Sequence, residues 1–369
     1  MRRVLVSRVL VSLVVLVAVA VAGSLALAQV LPPGIPREKT LIIHQMFAPA
    51  PVPGNWNLWA GWRNQNNGLH QFVTDALWSI NPNMVKGGII NALATQPPIY
   101  NKDFTQLTIK LRDGVYWSDG VKFTAHDVVY TIRTIRDTPG LDFHGAMQEV
   151  KNVYAVDNLT VVVELKAPNS RFHTYFVERW GAVRPMPKHV FEKVKDVTAF
   201  DFNPPVSLGP YVLQNYDQGG HWALWQKRKD WRRTVTGILY GEPKPEYVLF
   251  INYGPPEKQI MAMLKHELDV AQGTAEMMLT LLERGATTRP FRKTWPFIDP
   301  RDPCVRGPGF NHLVYPYNIR DVRWALTLSI DIVEFLMFTY DGMAAMSPVW
   351  LINNPVFYEW FLKPMEPWL

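Results

Sequence analysis

The sequence predicts an α/β fold, and three stretches carry that expectation. Residues 106–136, QLTIKLRDGVYWSDGVKFTAHDVVYTIRTIR, read as a strand, two turns and an amphipathic helix. Residues 245–270 run from an alternating strand through a proline-opened helix to the step KHELDV, a β-α-β rhythm. Residues 153–165 carry a hairpin pattern around Asp157-Asn158, a turn pair by its side-chain chemistry.

Length and composition agree with a globular protein of more than one domain. The chain has 369 residues, enough to bury a substantial core, and its 30 prolines and 14 tryptophans suit neither a coiled coil nor a disordered tail. Residues 1–28 stand apart. Arg2, Arg3 and Arg8 precede an apolar run, and Ala26-Leu27-Ala28 places small residues ahead of Gln29, the pattern of a cleaved secretory signal peptide. An uncleaved anchor is the alternative, since residues 9–28 are just long enough to span a bilayer. The whole chain holds 38 basic and 32 acidic residues, and removing the three leader arginines leaves 35 against 32. So small an excess, without basic blocks, argues against a nucleic-acid partner. Cys304 is the one cysteine, which excludes an intramolecular disulfide and leaves a small hydrophobe as its expected role.

Past a proline-rich lead-in, residues 40–46 (TLIIHQM) form an expected first strand. The loop that follows, residues 48–62 (APAPVPGNWNLWAGW), sets Pro49, Pro51 and Pro53 beside Trp56, Trp59 and Trp62. Aromatic faces and amide groups at a strand end are what a ligand pocket needs, so Trp56, Asn57 and Trp59 are candidate ligand residues; core cover is the plainer reading. Apolar segments at 72–80 and 89–94 lead into the stretch at 106. There Leu107, Ile109 and Leu111 alternate with polar residues, Asp113-Gly114 and Ser118-Asp119-Gly120 turn the chain, and Thr124 with Asp127 forms a capping box. Val128, Val129, Ile132 and Ile135 fall on one helical face. Residues 171–180 are expected to be helical and end on Trp180, a further ligand candidate. The segment 227–233, KRKDWRR, is the densest basic cluster and reads as a solvated loop.

Pro255-Pro256 opens a helix whose expected apolar side is Ile260, Met261 and Leu264. Near the C-terminus, Asn318 is positioned to cap a helix with Asp321 three residues on. Val322, Ala325, Leu326, Ser329, Ile330 and Val333 make its packing stripe. Phe310 and Asn311 complete the candidate ligand set. The nine histidines show no i, i+4 pair, so no metal site is expected, and no GxSxG, HExxH or Walker sequence is present, so no catalytic residue is assigned.

Several stretches, in order, resemble the family 5 extracytoplasmic solute-binding proteins of ABC importers. They are the signature LRDGVYWSDGVKFTAHDVVYT, the hairpin VYAVDNLTVVVELKAP, the element MPKHV, the strand LGPYVL with Ser207 and Leu208 where Gly or Thr is commoner, the step KHELDV, and PYNIRDVRWALTLSID. The resemblance implies a periplasmic-binding-protein-like two-lobe fold of the type II, cluster C kind. The expected division is a signal peptide at 1–28, a first lobe at 29–240 and a partial second lobe at 241–369. It also implies a chain that continues beyond Leu369, so a fragment or split product is expected. An exposed aromatic patch would then form from Trp350, Phe357, Tyr358, Trp360, Phe361 and Trp368.

By the same resemblance the function expected is delivery of an oligopeptide or oligosaccharide to ABC permease subunits, from the periplasm or another extracytoplasmic site. The receptor would be a monomer without cofactor or enzymatic activity, and its tryptophans tilt the ligand toward sugar. The rival is a secreted glycoside hydrolase, which needs two carboxylates across a cleft; Glu178, Asp201 and Glu246 are the isolated acids to consider.

Overall fold

The computed structural model describes residues 31–45, 49–61, 64–80, 88–178, 181–271, 274–285, 287–290, 309–343 and 358–368. The expected signal peptide, Trp62, Trp180, Cys304, Trp350 and Phe357 lie outside the described residues.

Among the described residues three small sheets carry the fold. In the first, β1 (Thr40–His44) pairs in parallel with β11 (Tyr247–Ile251), which pairs antiparallel with β10 (Trp222–Lys227), and that with β9 (Tyr211–Tyr216). An isolated parallel bridge from Ile43 to Val270 extends the sheet beyond β1. Ile42, Leu249 and Leu224 lie in register across three strands and, with Ala262 and Leu268, form a small core of their own. Val248, Phe250, Ala223 and Trp225 point the other way into the main core, so this sheet is covered on both faces. The second sheet has the order β3 (Ile89–Asn91), β2 (Trp78–Ile80), β8 (Val177–Glu178). The third has the order β4 (Ile99–Tyr100), β5 (Gln106–Lys110), β7 (Thr160–Leu165), β6 (Val150–Asp157). The hairpin expected around Asp157-Asn158 is the β6/β7 pair.

The 106–136 stretch folds as its pattern predicts. Leu107 and Ile109 of β5 are buried and their neighbours are not. Helix α1 (Ala125–Asp137) opens on the capping box: Thr124 N donates to Asp127 Oδ2 at 2.8 Å, while the Thr124 side chain accepts from the first helical turn. Asp127 does more than cap. Its other oxygen accepts from Lys188 N at 3.0 Å, and Thr131 Oγ1 accepts from Met186 N at 2.8 Å, so α1 holds the MPKHV element to itself. The short helices α2 (His144–Met147), α3 (Lys188–Phe191) and α4 (Val235–Tyr240) follow, and then α5 (Pro256–Leu264), α6 (Ala275–Arg284), α7 (Arg320–Leu328) and α8 (Ile332–Tyr340).

Several expectations are corrected. Residues 172–176 form a 3-10 turn and 177–178 an edge strand, because Val177 and Glu178 add in parallel to β2 while His173 N donates to the Tyr100 hydroxyl. On α5 the buried residues are Gln259 and Ala262, and Met261 faces solvent; the helix rolls Ala262 onto the Ile42 cluster. Helix α7 starts behind Ile319, not Asn318, and has no side-chain cap. Asp331 instead caps a separate helix, α8, by accepting from Val333 N and Glu334 N. The stripe Leu326, Ile330, Val333 is exposed, since no described element packs on it. Separately, the chain passes residues 240/241 between α4 and β11, and β11 lies between β1 and β10 in the first sheet. Tyr358, Trp360 and Phe361, the described members of the expected C-terminal patch whose side chains are placed, are exposed.

Candidate functional site

The parallel strands β1 and β11 end side by side, and both apolar runs stop at polar residues: His44-Gln45 after Ile43, and Asn252-Tyr253-Gly254 after Ile251. The carboxyl ends of parallel strands are where open α/β sheets take their ligands, because side chains and strand-end backbone diverge there into a crevice. Asn252 Oδ1 accepts from Gly254 N at 2.7 Å, which turns the chain away at the strand end. Tyr253 N donates to His44 Nδ1 at 3.3 Å, so the neutral imidazole carries its proton on Nε2. Burial lowers the His44 pKa and favours that neutral form. The Tyr253 hydroxyl donates to Glu267 O at 2.7 Å, and burial pushes its pKa up. Asp269 closes the same side. One carboxylate oxygen accepts from Ile42 N at 2.8 Å and the other is paired with Arg37 at 2.6 Å, which keeps the chain before Val270 locked to β1. His44, Asn252 and Tyr253 are half-buried, so the strand ends present one histidine, one amide and one phenol edge to solvent. Such a face can make hydrogen bonds and ring contacts with a polar solute.

Of the residues expected to bind ligand, Trp56 and Asn57 are fully buried, which corrects their assignment to a solute-facing surface. The Trp56 ring packs edge-on against Trp225 at 5.1 Å and Tyr216 at 6.4 Å. Asn57 Oδ1 accepts from Trp59 N, and its amide donates to Val197 O and Phe200 O, so all its polar capacity goes to holding the loop. Trp59 packs on Phe191 and also lines a cavity of about 90 Å³ with Gln65, His70, Leu141, Phe143 and Arg184. Beyond that cavity Arg184 donates to Glu178 at 3.0 Å and to Thr74 and His70 O, with half-buried Asp75 nearby. Phe310 is half-buried and stacks on Tyr317, and Asn311 accepts from Leu313 N in a local turn. Trp180 lies outside the described residues. Little in the sequence singles out the strand-end residues, since His44 is one of nine scattered histidines. The usable signal was the polar break that ends each of the two apolar runs, TLII-HQ and YVLFI-NYG.

Two of the carboxylates that a hydrolase would need are held in ion pairs. Glu178 is bound by Arg184 and by Ser79 Oγ, and Glu246 lies 3.4 Å from Lys227.

Comparison with known proteins agrees with this architecture. The chain superposes on a periplasmic oligopeptide-binding protein of an oligopeptide ABC transporter from Thermotoga maritima with a TM-score of 0.75. The identity is 21%, and 90% of this chain and 59% of that one are covered. A mannohexaose-bound structure of the same protein gives 0.71 over the same shares. The periplasmic oligopeptide-binding protein OppA of Salmonella typhimurium is 26% identical over 254 residues, which are 63% of this chain and 43% of that protein. The chain thus spans about half the length of these relatives.

The fold is that of the periplasmic binding proteins. Residues 88–361 match the family described as "Bacterial extracellular solute-binding proteins, family 5 Middle", and the chain belongs to that family.

Proposed function

We infer that the protein is an extracytoplasmic receptor that binds an oligopeptide or oligosaccharide at the ends of β1 and β11 and passes it to an ABC-type importer. The observation that carries the reading is the polar strand-end face of His44, Asn252 and Tyr253 in a chain of this family. The relatives named above are binding proteins, one for oligopeptides and one with mannohexaose bound, which makes these two solute classes the first to try. Receptor action needs no bond to break, only a closed form that the solute favours and the permease accepts. An extracytoplasmic location fits the arginine-led apolar leader.

Thermal shift and calorimetry with short peptides and manno-oligosaccharides test the proposal. A solute that binds the native state adds about 2.7 kcal/mol of stability at a hundred times Kd, so the apparent Tm climbs with its concentration. Replacing His44 or Asn252 by Ala should remove the shift while leaving the unliganded Tm within a degree or two. Recovery of a hydrolysed peptide or glycan from the incubation would overturn the receptor reading.

A further inference from the structure

We propose that the turn and helix spanning residues 229–244 form a docking patch for an anionic phospholipid surface. The inference rests on this patch alone and is independent of which solute the protein carries. Between residues 227 and 246 the chain has six basic and three acidic side chains. All three acids are taken by two of the cations. Lys227 pairs with Glu242 at 2.9 Å and Glu246 at 3.4 Å, and buried Arg228 pairs with Asp230 at 2.8 Å. That leaves Lys229, Arg232, Arg233 and Lys244, all exposed and, among the described residues, with no carboxylate within 4.0 Å.

Apolar groups stand among these cations. Ile238, Leu239 and Tyr240 end α4 with 41%, 36% and 70% of their surface exposed. The platform is firmly built. Thr234 Oγ1 accepts from Gly237 N at 3.1 Å and donates to Trp231 O at 2.7 Å. A Cβ on Gly237 would sit 2.0 Å from Trp231 O, so only glycine allows the helix to press this closely on the basic turn. Arg232 lies over the Trp231 ring at 4.2 Å and Arg233 over Tyr116 at 4.6 Å, which fixes their direction without neutralising them.

A helix end with three exposed apolar side chains, one of them tyrosine, in a stretch that also exposes four cations outside direct ion pairs is complementary to a bilayer interface carrying negative headgroups. The expectation that KRKDWRR is simply a solvated loop is therefore revised: two of its cations are structural and the remaining three face outward beside apolar groups.

The test uses the full chain and vesicles of phosphatidylcholine with or without phosphatidylglycerol. Cosedimentation should occur with the anionic vesicles, fall with salt, and be at least tenfold weaker with phosphatidylcholine alone. Lys229→Gln with Arg232→Gln should lower binding about twenty-five-fold, at about fivefold per cation. Ile238→Ser with Leu239→Ser, both exposed, should weaken it comparably at unchanged Tm. A Leu328→Ser, Phe338→Ser variant, which alters the separate exposed face of α7 and α8, should retain it. Equal binding to neutral and anionic vesicles, or binding lost only in the Leu328, Phe338 variant, would overturn the proposal. So would capture of a membrane protein without retention on protein-free vesicles.

Discussion

Arg228 and Trp117, 111 positions apart, are joined by a guanidinium-to-carbonyl hydrogen bond of 3.2 Å. The same side chain donates to the carbonyls of Tyr116, Ser207 and Gly209 and grips Asp230 with two bonds. Arg228 follows β10 of the first sheet, whereas Trp117 sits in the turns after β5 of the third. The guanidinium therefore ties two sheets together through backbone atoms that no apolar contact could satisfy. Its attraction holds the Asp230 carboxyl below the usual range.

Arg228→Met should therefore lower stability by about 2–4 kcal/mol, since it removes a donor from four carbonyls, of which Trp117 O and Ser207 O keep the backbone donors Gly120 N and Ser118 N, and leaves Asp230 without its cation. Urea denaturation followed by tryptophan fluorescence reads the change. A midpoint equal to wild type would show that water replaces the guanidinium at no cost.

Asp75 gives the protein a pH dependence of definite sign. Burial, with the nearby Glu178 carboxylate, raises its pKa from 3.8 to about 7, against the opposing pull of Ala76 N and Arg184. The native state thus holds a proton that the unfolded chain releases. The stabilisation is fully present below about pH 4 and is lost as pH rises through about 7. For this group alone the difference is on the order of a few kcal/mol. Asp75→Asn should flatten the stability profile between pH 4 and 7 relative to wild type; parallel profiles would reject the assignment.

Trp56 belongs to the core, so Trp56→Ala should cost about 3–5 kcal/mol through the cavity it opens beside Trp225. Solute affinity, measured by calorimetry at a temperature where the variant is folded, should stay within about twofold. A large loss of affinity at preserved stability would return the residue to the ligand surface.

Gly209 lets two segments meet. Its N–H donates to Phe72 O at 2.9 Å, and a Cβ there would lie 2.6 Å from that same oxygen. Gly209→Ala should therefore destabilise by about 1–3 kcal/mol, as overpacking does, and chemical denaturation checks it.

The sequence by itself determined the local units and the family. Alternation fixed which side of β5 is buried, because period two leaves no choice once one face is apolar. Thr124 and Asp127 fixed the start of α1 because the capping box is closed within four residues. The carry-over from those motifs to the family is borne out by the match over residues 88–361. What the sequence could not decide depended on distant partners. Trp56 and Asn57 have the composition of a pocket, and only the packing of Trp225, Val197 and Phe200 around them assigns them to the core. Residues 172–178 have helical character, and β2 draws their end into a strand because an edge hydrogen-bond ladder outweighs a weak propensity. The basic run at 227–233 looks uniform in one dimension. Tertiary structure divides it, burying Arg228 under four carbonyls and leaving Lys229, Arg232 and Arg233 outside, because a charge can be buried only where enough acceptors converge on it.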